Sequence, residues 1–121
     1  IKIRNRNATM YDNAFSELRD DVTLPQRCAG HTETFALYMG LFRQRDQLAA
    51  YLNKNGVETK IHYPVPLHRQ KAAEQKCRIS GDMANADYQA QHLLTLPVHQ
   101  YLREEQLSYT VDCIFDFYQN A

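Results

Sequence analysis

The chain has 121 residues, and its fourteen Lys or Arg side chains balance fourteen Asp or Glu side chains, so its formal net charge is zero. A nucleic-acid-binding domain normally carries a basic excess, and the apolar runs here are far too short to cross a membrane. Composition therefore argues against both partners. The hydrophobic content of 44% is ordinary for a globular protein, and the length suits one domain.

In chain order, the residue patterns predict helices alternating with short strands. The elements are helix 1–18, strand 22–24, strand 31–42, helix 44–55, strand 57–63, a short helix at 71–77, a helix from 83 to about 92, strand 94–96 and a last helix from 104 onward. Helices are assigned from apolar spacing, and strands from alternation and from β-branched or aromatic residues. We expect an α+β fold: a small, mostly antiparallel sheet of three to four strands with about four helices packed on one face.

Two of the predicted helices are marked most clearly. In the helix at 44–55, Leu48, Tyr51 and Leu52 share one face, and Gly56 follows as the residue that ends it. In the last helix the apolar side chains recur with a 3.6-residue period: Leu107, Val111, Ile114, Phe115 and Tyr118. Each pattern predicts one buried helical face.

Two imidazoles and a phenol lie within seven residues at the end of the predicted strand 57–63. His62 and Tyr63 end this strand, and His68 follows Pro64 and Pro66, which cannot continue a helix or a central strand. Binding residues concentrate on loops held by rigid strands. A ligand site at His62, Tyr63 and His68 is therefore one interpretation of this segment. The alternative is structural: His62 and Tyr63 satisfy nearby backbone groups, and His68 caps the next helix.

The three cysteines do not predict a disulfide framework. Cys28, Cys77 and Cys113 are widely spaced, which is typical of free thiols in a reducing cytoplasm. A structural zinc site formed by Cys77 with His62 or His68 is an open alternative, although no spacing of these residues requires it. We predict no metal site, and the sequence shows neither a hydrolytic triad nor a phosphate-binding loop.

Several ordered motifs carry a family resemblance. Residues 61–70 read Ile-His-Tyr-Pro-Val-Pro-Leu-His-Arg-Gln, residues 45–52 read Arg-Asp-Gln-Leu-Ala-Ala-Tyr-Leu, residues 55–59 read Asn-Gly-Val-Glu-Thr, and residues 94–99 read Leu-Thr-Leu-Pro-Val-His. In this order and at these intervals they resemble the C-terminal domain of DegT/DnrJ-type, PLP-dependent sugar aminotransferases. The likeness covers most of the chain.

The resemblance implies that residues 1–121 are a single C-terminal small domain, and that the large PLP-binding domain is absent from this chain. The parent enzyme would transfer an amino group, typically from glutamate, to a nucleotide-linked keto-deoxysugar, for polysaccharide, lipopolysaccharide or antibiotic-sugar synthesis. It would work in the cytoplasm as a homodimer. His62, Tyr63 and His68 would bind substrate.

No catalytic or cofactor-binding residue is assigned to this chain. PLP chemistry needs a lysine for the Schiff base, and none of the lysines falls in the family's lysine motif: Lys2, Lys54, Lys60, Lys71 and Lys76. Pyridoxal phosphate is therefore expected in the parent and not on this chain alone. The alternative is a stand-alone, non-catalytic module that binds a ligand or a partner protein. A third, remote option is acid–base catalysis by His62, Tyr63 and His68 alone.

Overall fold

The structure is a computed structural model that describes residues 1–73 and 76–120. It contains four α-helices and three strands: α1 Lys2–Phe15, β1 Val22–Thr23, β2 Tyr38–Phe42, α2 Arg45–Lys54, α3 Ala84–His92, β3 Leu93–Leu96 and α4 Glu104–Gln119. One turn of 3-10 helix spans Leu67–Arg69. None of the helices in these described ranges combines the length and apolar character needed to cross a membrane.

The three strands form one antiparallel sheet with β2 in the centre. Val22 of β1 lies opposite Phe42, and Tyr38 at the other end of β2 lies opposite Leu96 of β3. Four α-helices with a small antiparallel sheet confirm the predicted α+β fold.

Aromatic rings join the sheet to α1. Tyr38 and Phe42 point to the same side of β2 because side chains alternate along a strand, and both are fully buried. The Tyr11 ring lies 4.9 Å from the Tyr38 ring, and Phe15 meets Phe42 edge-on at 6.0 Å. Edge-on and tilted pairs of this kind add to the stability that burial itself provides. This cluster is the centre of the core.

The last helix closes the core. Its buried residues recur with the predicted helical period: Leu107, Thr110, Cys113, Ile114 and Tyr118. The helix packs against both α1 and α2. Val111 and Phe115, which the sequence also placed on the buried face, are only partly buried beside the same core.

The predicted strand 31–42 is wrong in its first half, because only Tyr38–Phe42 is extended in the sheet. Since β3 pairs no further than Tyr38 and β1 has only two residues, no strand among the described residues lies beside the backbone before Tyr38. Side chains of α1 hold this segment instead: Asn5 Nδ2 donates to Glu33 O at 2.7 Å, and Arg4 Nη1 donates to Phe35 O at 3.2 Å.

The predicted strand 57–63 is also wrong as a strand. It makes one isolated bridge, in which Lys60 exchanges two backbone hydrogen bonds with Thr95 at 2.8 and 3.2 Å. Pairing stops because β3 ends at Leu96 before Pro97, and Pro64 and Pro66 have no N–H to offer.

The remaining boundaries shift by a few residues. The first helix ends at Phe15 rather than residue 18, and the first strand ends at Thr23 rather than residue 24. The predicted short helix at 71–77 includes residues 74 and 75, which lie outside the described residues, and 71–73 form a turn. The helix that ends at His92 is confirmed.

Gly56 ends α2 as predicted. Its φ is +77°, its N–H donates to Asn53 O at 3.1 Å, and Val57 N–H donates to Leu52 O at 2.9 Å. This pair of bonds is the Schellman motif, in which a left-handed residue satisfies the last helical carbonyls. Val57 and Leu52 are both buried, so the motif also directs the chain into the core.

Replacing Gly56 by Ala should lower the free energy of unfolding by about 1 kcal/mol, because a Cβ is strained at positive φ. A Cβ at this position would meet no atom within 4 Å, so the loss reflects the backbone alone. The matched variant Gly56→Asn should lose less, since Asn tolerates this conformation better. Urea unfolding measures both; an alanine variant as stable as wild type would contradict the expectation.

Candidate functional site

An open cleft of about 650 Å³ lies between three parts of the chain. One wall is the segment 56–62, the second is the end of β3 with residues 97–99, and the third is the first two turns of α4. Ala36 and Leu37 lie at one edge. Polar side chains meet apolar ones in its lining.

His62 is the predicted site residue that lines this cleft. Its Nδ1 lies 2.9 Å from Oγ1 of Thr95, a residue that is only 6% exposed. The bridge between Lys60 and Thr95, two residues earlier, ties the same backbone to β3. The imidazole is therefore held at the cleft by both a side-chain and a backbone contact.

Tyr63 lies beside His62 but outside the cleft lining. Its side chain is 74% exposed, and its ring meets the His62 ring edge-on with centroids 5.7 Å apart. Within the described residues, no backbone group accepts a hydrogen bond from its hydroxyl, and the ring is open to solvent. The role of Tyr63 in binding a ligand stays a prediction.

The structure places His68 away from the cleft, against α3. Its Nε2 lies 3.0 Å from Asp87 Oδ1, and the same carboxylate accepts two hydrogen bonds from Arg69, at 2.5 and 2.6 Å. Asp87 thus joins the 3-10 turn to α3. The sequence placed His68 with His62 because they are close along the chain, but the intervening loop separates them.

Replacing Asp87 by Asn should release this loop from α3. The hydrogen-bonded Arg69 guanidinium lowers the pKa of Asp87 from 3.8 to about 2. Since this folded pKa lies below the unfolded one, the carboxylate stabilises the fold above about pH 4, and the effect is lost as pH falls through about 2. Wild type should therefore be more stable than D87N at neutral pH, with a difference that shrinks between about pH 4 and about pH 2.

Urea unfolding across this pH range measures the difference, and amide exchange of residues 63–70 should be faster in D87N at neutral pH. Asp112 is exposed on α4, so Asp112→Asn is the matched control and should change neither quantity. A D87N stability difference that stays constant down to about pH 2 would rule out the ionic contribution.

Buried polar side chains of α1 support the wall at 97–99. Asn7 is fully buried, and its Nδ2 donates to Val98 O at 3.4 Å and to His99 O at 3.1 Å. Tyr11 Oη donates to Pro97 O at 2.9 Å, and burial raises the pKa of this phenol to about 12. Sequence analysis did not identify either residue, because the carbonyls that they contact lie 86 to 92 residues away along the chain.

The other histidines and the cysteines add no second centre. His99 is exposed at the cleft rim, and His92 stacks on Tyr88 with ring centroids 4.0 Å apart. All three cysteines are free thiols. No three His, Cys, Asp or Glu residues within the described ranges are grouped so that they could hold a metal ion, so the open zinc alternative gains no support.

Residues 1–115 match the DegT/DnrJ/EryC1/StrS aminotransferase family. The chain belongs to this family. It is 32% identical to a pleiotropic regulatory protein of Geobacillus stearothermophilus, over 97% of this chain and 32% of that protein. It is also 32% identical to a UDP-N-acetyl-3-dehydro-α-D-glucosamine 3-aminotransferase of Acidithiobacillus ferrooxidans, over 73% of this chain and 23% of that protein.

A solved structure with a similar fold is also an aminotransferase. The crystal structure of DesV from S. venezuelae, in complex with a ketimine intermediate, superimposes with a TM-score of 0.87 at 25% identity, covering 96% of this chain and 31% of that one. The chain thus spans about a third or less of the length of the family members it matches.

Aminotransferases of this family imply PLP, and the residues at the cleft do not fit that group. PLP needs an available lysine amine and donors for its phosphate. Lys60 at the cleft is 65% exposed, with Nζ 2.8 Å from the Glu58 carboxylate. The first turn of α4 carries Glu104 and Glu105, whose negative charge repels a phosphate.

Proposed function

We propose that residues 1–121 are the C-terminal small domain of a PLP-dependent nucleotide-sugar aminotransferase. The match of residues 1–115 to the aminotransferase family carries the proposal, together with the share of the relatives that it spans. The parent would transfer an amino group, with glutamate as donor, to a keto group of a nucleotide-linked sugar. It would act in the cytoplasm as a homodimer and serve polysaccharide, lipopolysaccharide or antibiotic-sugar synthesis.

The role proposed for this domain is to bind substrate. His62 lines the cleft, and the exposed Tyr63 ring meets the His62 ring edge-on, which supports a role for both in contacting the nucleotide sugar. His68 could contact it only through Nδ1, since Nε2 is engaged by Asp87. PLP would supply the amino-transfer chemistry. Residues outside this chain would hold it, because the residues at the cleft do not fit PLP.

The decisive experiment uses the native polypeptide that contains this chain. With glutamate it should convert UDP-N-acetyl-3-dehydro-α-D-glucosamine, the sugar named for the Acidithiobacillus relative, to the amino sugar. Borohydride should trap PLP on a lysine outside residues 1–121, which peptide mass spectrometry would locate. PLP on a lysine within these residues would refute the division of labour. A native polypeptide without PLP or transaminase activity would favour the stand-alone binding module.

A further inference from the structure

The contact between His62 and Thr95 constrains where the imidazole carries its hydrogen. Thr95 is buried, and among residues 1–73 and 76–120 its hydroxyl has one hydrogen-bond partner, Nδ1 of His62, at 2.9 Å. A buried hydroxyl that does not donate its hydrogen is costly. Donation from Thr95 to Nδ1 satisfies both groups, and it requires an Nδ1 without hydrogen.

A neutral imidazole that accepts at Nδ1 carries its hydrogen on Nε2. Within the described ranges Nε2 of His62 makes no protein hydrogen bond, and the side chain lines the cleft. The ring is therefore left with one unused donor at the surface of the cleft. Such a donor pairs with an oxygen acceptor.

The backbone restricts the ring further. Thr95 N–H donates to Lys60 O at 2.8 Å, and Lys60 N–H donates to Thr95 O at 3.2 Å. The hydrogen bond between the His62 and Thr95 side chains is a third link, two residues after Lys60. Three hydrogen bonds between the same two segments keep the imidazole in one orientation, which is what a preorganised binding group requires.

We propose that Thr95 is a positioning residue that fixes His62 as the Nε2–H tautomer, so that the imidazole donates to an oxygen of a ligand in the cleft. That this ligand is the nucleotide-linked keto sugar rests on the proposed function. The tautomer itself does not, because it follows from contacts within this chain. In this proposal Thr95 acts on the ligand through His62.

Long-range nitrogen–proton NMR of ¹⁵N-histidine-labelled protein reads the tautomer directly, with His62 assigned by its absence in His62→Gln. At alkaline pH, where the rings are neutral, wild type should show hydrogen on Nε2 and a hydrogen-bonded Nδ1. Thr95→Val keeps the branched shape but removes the hydroxyl, so the Nδ1 signal should move to that of a free imidazole. Thr95→Ser should restore it.

Thr110→Val is the matched control. Thr110 is also buried at the cleft, but its hydroxyl donates to Gln106 O at 2.9 Å within α4, so this variant should leave the His62 signals unchanged. Hydrogen on Nδ1 in wild type would overturn the proposal, as would identical His62 signals in wild type and Thr95→Val.

Steady-state kinetics distinguishes the positioning role of Thr95 from the proposed substrate role of His62. In the native polypeptide, Thr95→Val should raise KM for UDP-N-acetyl-3-dehydro-α-D-glucosamine about three- to tenfold with little change in kcat, and Thr95→Ser should reverse it. If the NMR result holds and KM does not move, Thr95 still positions His62, and the proposed substrate role of His62 is what fails.

Discussion

Replacing Arg45 by Met should lower the free energy of unfolding by about 3 kcal/mol. Arg45 is 7% exposed, and its guanidinium donates to Leu93 O at 2.8 Å and to Ala90 O at 3.1 Å. Met keeps the apolar stem but leaves two carbonyls without their donor. Buried carbonyls without partners each cost on the order of 1–3 kcal/mol.

The hydrogen bonds from Arg45 also bear on the cleft, because they hold the backbone that leads to Thr95. Leu93 and Ala90 lie at the junction of α3 and β3, two to five residues before Thr95. Loosening this junction should also speed amide exchange in β3. Urea unfolding measures the stability, and exchange mass spectrometry measures the local opening.

A control variant distinguishes the ion pair of the Arg45 guanidinium from its hydrogen bonds to backbone carbonyls. Arg45 Nε also donates to Asp46 at 2.6 Å, but that carboxylate is 79% exposed, so solvent weakens the pair. Asp46→Ala should therefore cost at most about 0.5 kcal/mol. Equal losses in R45M and Asp46→Ala would mean that the ion pair, not the carbonyl contacts, accounts for the stability.

Replacing His62 by Ala in the native polypeptide should raise KM for the nucleotide-linked keto sugar about ten- to a hundredfold. The phosphates of a nucleotide-linked sugar are charged acceptors. A hydrogen bond to a charged group contributes about 1.5–3 kcal/mol, and about 1.4 kcal/mol corresponds to a factor of ten. The change in kcat should be much smaller, because His62 is proposed to bind substrate and to take no part in the chemical step.

Steady-state kinetics with varied sugar nucleotide and saturating glutamate measures this effect. His31 is exposed and lies outside the cleft lining, so His31→Ala is the matched control and should keep the wild-type KM. Circular dichroism of His62→Ala should match wild type, since the half-buried ring lies at the cleft and not among the core residues. An unchanged KM in a folded His62→Ala would remove this residue from the substrate site.

Local sequence was sufficient wherever the structural signal lies within a few residues. The helices at 45–54 and 104–119 follow from apolar spacing, because one face of each is buried by whatever packs against it. Gly56 could be assigned from sequence because a helix end needs a left-handed residue. A local signal also drew attention to His62, an imidazole before two prolines, and the structure places its side chain in the lining of the cleft, while its role in binding stays a prediction.

Long-range pairing decided the rest. Residues 31–37 and 57–63 have strand-like composition, but a strand forms only where a second backbone lies beside it to complete the hydrogen bonds. In the part of the chain that the structure describes, no such neighbour pairs with the backbone before Tyr38, and Lys60 pairs with a single residue, Thr95. Residue composition carries no information about such a distant partner.

The candidate site also has features that local sequence predicts and features that only tertiary contacts decide. Sequence alone identified His62, Tyr63 and His68 as a group, because they are neighbours along the chain. Only the tertiary structure paired His62 with Thr95, thirty-three residues away, and turned His68 toward Asp87, nineteen residues away. Each of these side chains is directed by a hydrogen-bond partner on a different element, so the chemistry offered to a ligand emerges only when the elements pack.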